Sequence, residues 1–237
     1  MGVPSAALLA DLRRRIGALE RGCGRSATPA IAFGLPAIDA LLPGGGLGAH
    51  GLHEIVAASG DGAAFGFVLA LFSRFAHGVR RPWILWCRLG REGQESGLPY
   101  GPGLARFGLA PEHLILVEAE RPAEVLAAME EGLRCPELAA VLGEGAALPF
   151  VAGLRLQRTA ETGGVAALWL NRAPPPPASA AVSRWQVQAV AAPPEGVEEA
   201  LSWQLTLWRC RGKNENLPCQ WRIGWRAEER SFALQDG

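Results

Sequence analysis

The sequence predicts an α/β fold: a mostly parallel sheet flanked by helices, with antiparallel strands extending it at the C-terminal end. Three observations predict it. The apolar runs LHEIVA (52–57), WILWC (83–87), LILV (114–117), LAAVLG (138–143) and VAALWL (165–170) alternate with helical spacing near 64–77, 122–134 and 149–162. Several of these runs are apolar without interruption, as strands buried on both faces are. Later, RWQVQAV (184–190), WQLTLWR (203–209) and CQWRIGW (219–225) alternate apolar and polar positions, which is the pattern of half-exposed antiparallel strands. At 237 residues and 49% hydrophobic content the chain can bury one sizeable core.

Residues 5–21 form the first expected element, an amphipathic helix with Ser5 as its cap and Leu8, Leu12, Ile16 and Leu19 on one stripe. Gly22 and Gly24 end it. We divide the chain into this arm, 1–25, suited to self-association or a partner, and one core domain, 26–237. Pro122 and Pro149 suit the first turns of two core helices. The segment RAPPPPASAAVS (172–183) excludes helix and central strand and reads as a stiff, exposed connection that marks the change from parallel to antiparallel structure.

Charge excludes little globally, because the formal net charge is zero. Locally, residues 1–25 and 201–230 each carry an excess of +3, set by arginines and Lys213. Solvated faces explain such excesses as readily as nucleic acid does. The five cysteines form no C-x-x-C pair, as expected of reduced thiols in the cytoplasm. No apolar run has transmembrane length, and arginines interrupt the first 25 residues where a signal peptide needs an apolar core.

The chemistry-bearing feature is a phosphate loop without its working residues. IAFGLPAIDALLPGGGLGAHGLHEIVAASGDGAAFG (31–66) runs from a turn through an apolar strand into a glycine-containing loop that opens a helix. A working loop of this kind ends in Gly-Lys-Ser/Thr, where the lysine holds phosphate and the hydroxyl holds Mg²⁺. Here Ala63 and Ala64 follow Gly62, and Lys213 is the only lysine in the chain. The degenerate nucleotide site is therefore Ser59, Gly60, Asp61, Gly62, Ala63 and Ala64, with Glu144 at the end of LAAVLG where an acid normally reaches Mg²⁺ through water. Losing a charge-assisted contact costs about 1.5–3 kcal/mol, and two are lost together. We expect no cofactor, ATP and Mg²⁺ binding weakly at most, and no catalytic residue. A water-activating glutamate belongs just after the second strand, where this chain has Arg88.

His50-Gly-Leu-His53-Glu54 matches no zinc-helix order, and its histidines are expected to be structural, with no metal site. Arg209, Arg211 and Lys213 leave an apolar strand into a turn and form the candidate partner or DNA interface. Among the nearby tryptophans, one or two are expected on the surface for a partner.

These residues together resemble the ImuA family. The resemblance rests on FGLPAIDALLPGGGLGAHGLHEI (33–55), YGPGLARFGLAPEHLILVEA (100–119), RLQRTAETGGVAALWL (155–170) and PASAAVSRWQVQ (177–188). It spans about residues 30–230. It implies a RecA-like core and a role in damage-induced (SOS) mutagenesis and translesion synthesis. The implied partners are ImuB, an error-prone replicative-type DNA polymerase and RecA, with single-stranded DNA and a second copy of the chain as further candidates. It also implies that Arg209 and Arg211 face a neighbouring subunit, and that the protein works in the cytoplasm at the nucleoid. The departures at Ala63 and Ala64 make a non-catalytic adaptor the leading expectation. Two readings stay open beside it: a SulA-like inhibitor of cell division acting on FtsZ, and a DNA-stimulated ATPase.

Overall fold

The computed structural model describes residues 29–57, 62–79, 81–91, 97–174, 177–190, 201–212 and 217–235. The expected N-terminal helix, Ser59 to Asp61 and Lys213 lie outside the described residues.

One nine-stranded mixed sheet organises the fold. The strands that matter are β3 (Leu52–Ala57), β4 (Trp83–Leu89), β5 (Leu114–Ala119), β6 (Leu138–Gly145), β7 (Ala166–Asn171), β8 (Ser183–Ala189), β9 (Leu201–Cys210), β10 (Cys219–Arg226) and β11 (Ser231–Leu234). Their spatial order is β11-β10-β9-β8-β3-β7-β6-β4-β5. Strands β3 to β8 pair in parallel among themselves, and β9 to β11 add antiparallel hairpins. The sheet is therefore α/β and mostly parallel, with an antiparallel extension.

Two readings of the sequence need correction. The run 184–190 is not the first antiparallel strand: β8 lies parallel to β3 on one side and antiparallel to β9 on the other. Its alternation arises because Trp185 and Val187 enter the core while Gln188 reaches solvent. The run 114–117 is not buried on both faces, because β5 is an edge strand that pairs only with β4 and leaves Ile115 exposed.

Helix α2 (Ala63–Val79) covers one face of the sheet and buries Phe67, Val68, Leu71, Phe72 and Phe75. A helix this apolar around its circumference must lie in a core. Phe33, Phe67, Trp185, Trp203 and Phe232 meet there at ring separations of 5.3–6.4 Å. The antiparallel extension thus shares the α2 core rather than forming a separate domain. Helix α3 (Gly101–Arg106) precedes β5, and helices α4 (Pro122–Gly132) and α5 (Phe150–Gly163) cover the other face over Val141, Ala167 and Trp169. Pro122 occupies the first turn of α4, and Glu124 accepts the backbone N–H of Arg121 at 3.1 Å. Pro149 stands just ahead of α5, as its cap residue.

The Pro-Gly-Gly-Gly turn has a structural cause. Residues 30–31 (β1) pair antiparallel with 47–48 (β2), so the chain doubles back between them over the short helix α1 (Pro36–Asp39). Gly44 and Gly45 take φ of 77° and 78°, and a Cβ at Gly46 would lie 2.5 Å from the carbonyl oxygen of Ile31. Asp39 accepts backbone N–H groups from Phe33, Gly34 and Leu35 at 2.7–3.0 Å, which folds the loop onto itself. The proline segment divides in two: Arg172 and Pro174 are exposed, whereas Ser179, Ala180 and Ala181 are buried.

Candidate functional site

In an open parallel sheet, ligands bind at the carboxyl ends of the strands where the connections diverge. That point here is the end of β3. The chain leaves β3 toward β4 on one side, and the β7–β8 connection crosses to the other. The degenerate loop joins Ala57 to Ala63 at this place. Of its described residues, Gly62 faces open space, Ala63 is half-buried and Ala64 is buried in the α2 core. Neither alanine offers a hydrogen bond or a charge from its side chain.

The neighbouring strand tips carry charge in a particular order. Across β5, β4, β6 and the residue after β7 stand Glu118, Arg88, Glu144 and Arg172. Arg88 donates through Nε and Nη2 to Glu118 Oε1 at 3.1 and 2.8 Å, and its guanidinium lies 5.1 Å from the Trp86 ring centroid. Arg172 donates through Nε and Nη2 to Glu144 Oε2 at 3.2 and 2.7 Å. Glu144 and Arg88 are almost wholly buried, with side-chain exposures of 0% and 1%, whereas Glu118 and Arg172 reach solvent. The row is neutral as a whole, since each acid has its own arginine. The other oxygen of Glu144, Oε1, is buried without a partner. Glu144 lies inside β6, not after it.

Mg²⁺–ATP needs a lysine or arginine free to meet phosphate and an oxygen set free to meet the metal. Here Ala63 and Ala64 supply neither, and the guanidinium of Arg172 stands on the one acid at the position. The described residues do not fit that ligand.

Arg209 and Arg211 are not at this edge. Cys210 aligns with Ser183, which aligns with His53 near the start of β3. The two arginines therefore lie about 13 Å along the strand direction from the degenerate loop, at roughly 3.3 Å per residue. Arg209 donates to the Ser179 carbonyl; Arg211 donates to the Ala180 carbonyl at 3.0 Å and to Glu161 at 3.2 Å. Both tie the buried half of the proline segment to β9. Trp208 beside them is exposed, at 56%, while Trp185, Trp203 and Trp225 are core.

His53 is structural. Its Nε2 donates to the Gly48 carbonyl at 2.9 Å, because a carbonyl can only accept. Its Nδ1 then accepts from the Ser183 hydroxyl at 2.7 Å, and that oxygen accepts from Trp185 Nε1 at 2.7 Å. Burial pushes the imidazole pKa down to about 4, partly opposed by the Gly48 hydrogen bond. Glu54 is likewise internal: Ser179 Oγ at 2.6 Å and Arg184 Nε at 2.7 Å both donate to it.

Arg172 was the residue that sequence reasoning missed. It appeared as the first residue of a proline-rich connection. The available signal was its place directly after a buried strand, where a long cation reaches over the sheet edge.

No family model matches this chain. It is 30% identical over 204 residues to Protein ImuA of Caulobacter vibrioides strain NA1000 / CB15N, covering 79% of this chain and 81% of that protein. Protein ImuA of Caulobacter vibrioides strain ATCC 19089 matches with the same identity and coverage.

Proposed function

The chain belongs to the ImuA family, and on that premise we propose that it is a non-catalytic, RecA-like adaptor in damage-induced mutagenesis. It works with ImuB and an error-prone replicative-type DNA polymerase during translesion synthesis, contacts RecA, and acts in the cytoplasm at the nucleoid. Among the described residues no helix is long and apolar enough to cross a membrane.

One observation carries the non-catalytic part. The acid at the metal position, Glu144, is buried and held by Arg172 at 2.7 Å, while alanines occupy the lysine and hydroxyl positions. A protein that turned over ATP there would need a free cation for the phosphates and a free carboxylate for the metal. The RecA-like reading of the core is supported by the strand order and by the place of the degenerate loop after the central strand β3. The shape of a nucleotide-driven machine is kept, and its charge is consumed internally.

The test is damage-induced mutation frequency in a strain lacking this gene. The frequency falls to the uninduced level and is restored by the wild-type gene. An unchanged frequency overturns the mutagenesis role. Separately, the purified chain shows flat ATP turnover on addition of single-stranded DNA; turnover that rises overturns the non-catalytic assignment.

A further inference from the structure

At the carboxyl end of α2, away from the degenerate loop at its start, four basic side chains from four elements converge. His77 comes from the last turn of α2 and Arg81 from the link into β4. His113 ends the 3₁₀ turn before β5, and Arg230 closes the turn between β10 and β11. They line one cleft of about 250 Å³, and no carboxylate lines it among the described residues.

This cluster differs from most of the described arginines. Eight described arginines each bind a carboxylate. Arg81 instead donates to the Gly164 carbonyl at 3.3 Å, and Arg230 donates through Nη1 to His77 Nε2 at 2.8 Å. The other ring nitrogen of His77 meets the Ser73 carbonyl at 2.8 Å and must donate to it, which leaves Nε2 as the acceptor that aims Arg230. Most donors on both guanidinium groups stay available to a ligand.

Cations at helix ends need no ligand, since they offset the partial negative charge of the last carbonyls. That accounts for His77, and for Arg81 at the end of α5. It does not account for Arg230, which belongs to a hairpin turn and holds φ of 50°. A left-handed non-glycine residue costs about 1 kcal/mol, and glycine or asparagine normally takes such a place. Gly108, a left-handed turn glycine with φ of 72°, leaves room for it: a Cβ there would lie 2.4 Å from Arg230 Nε. Beside the cleft, Trp83 is 38% exposed and its ring meets that of His113 edge-on at 5.0 Å. A flat aromatic surface next to unneutralised guanidinium groups is the pairing that binds a base together with its phosphate.

We propose that this cleft holds a backbone phosphate of single-stranded DNA, between Arg81 and Arg230, with Trp83 as the surface on which an adjoining base stacks. This site goes beyond the adaptor reading and stands without it.

The experiment is fluorescence anisotropy of labelled oligothymidine with the full chain, across a salt series. Arg81→Ala and Arg230→Gly each weaken binding by about fivefold or more, and each lowers the slope of log affinity against log salt by about one. Trp83→Ala weakens binding by about fivefold with the salt slope unchanged, because stacking releases no counterions. Arg230→Gly keeps or raises the melting temperature, since glycine accepts the left-handed backbone, so its loss of binding is not loss of fold. Absence of wild-type binding at low salt overturns the proposal. So does binding that stays within about twofold in both arginine variants, or inorganic phosphate perturbing the His77 and His113 ring signals where oligothymidine does not.

Discussion

Acidification destabilises this protein through His53, and by a calculable amount. In the fold the ring is fully enclosed, against Phe75 at 6.4 Å, and burial lowers its pKa from the ordinary 6.5 to about 4. Because the folded pKa is the lower one, the unfolded chain takes up the proton first. The stabilisation is complete above about pH 6.5 and is lost as pH falls toward 4, at about 1.4 kcal/mol per pH unit and about 3 kcal/mol in all. That is a large share of an ordinary folding free energy of about 5–15 kcal/mol. Urea denaturation of the wild type and of His53→Gln, at about pH 7 and about pH 5, measures it. Glutamine donates to the Gly48 carbonyl and accepts from Ser183, but does not titrate. The variant is less stable by about 1 kcal/mol near neutrality, and the gap shifts by about 2 kcal/mol in its favour near pH 5. His50, whose pKa is also lowered, first by burial and then by Arg81, is present in both proteins and cancels. A gap equal at the two pH values refutes the assignment of His53 as an enclosed neutral imidazole.

Three further outcomes follow from the packing. Arg172→Ala leaves Glu144 buried with neither oxygen paired. Discounted for the 39% exposure of Arg172, the cost is about 2 kcal/mol; a urea midpoint equivalent to less than about 0.5 kcal/mol of loss contradicts this account of the row. Gly143→Ala places a Cβ 2.1 Å from Met129 Sδ and 2.8 Å from the Trp169 ring, and lowers stability by about 1–3 kcal/mol in thermal melts. Burial pushes the Cys87 thiol up to about 12, so under native conditions a maleimide labels exposed Cys135 and spares Cys87. Peptide mapping that finds Cys87 labelled equally fast contradicts this.

Most elements of the fold were legible because apolar periodicity reports local environment. LHEIVA, WILWC and LAAVLG became β3, β4 and β6 at nearly the expected bounds. The runs that misled did so for positional reasons. LILV is as apolar as its neighbours, but nothing in four residues says that the strand lies at an edge. RWQVQAV alternates because its far end reaches solvent, not because its neighbours run antiparallel. The short strand β11 gave no clear signal: SFAL (231–234) is too brief for either period to emerge.

The candidate site divides along the same line. The sequence by itself determined that no lysine reaches a phosphate loop, because Lys213 is the only one in the chain and lies far along it. It determined the alanines at 63 and 64, and the turn that demands Gly44 to Gly46. Only the tertiary structure decided that Arg172 neutralises Glu144 across 28 positions, and that Arg209 and Arg211 stand at the opposite edge of the sheet from the loop. The same holds for His77, Arg81, His113 and Arg230, which share a cleft although 153 positions separate the first from the last. Periodicity shows which way a side chain faces along its own strand or helix. Which charge it meets there depends on strand order and crossover direction, which arise when distant apolar faces bury one another, so no local pattern records them.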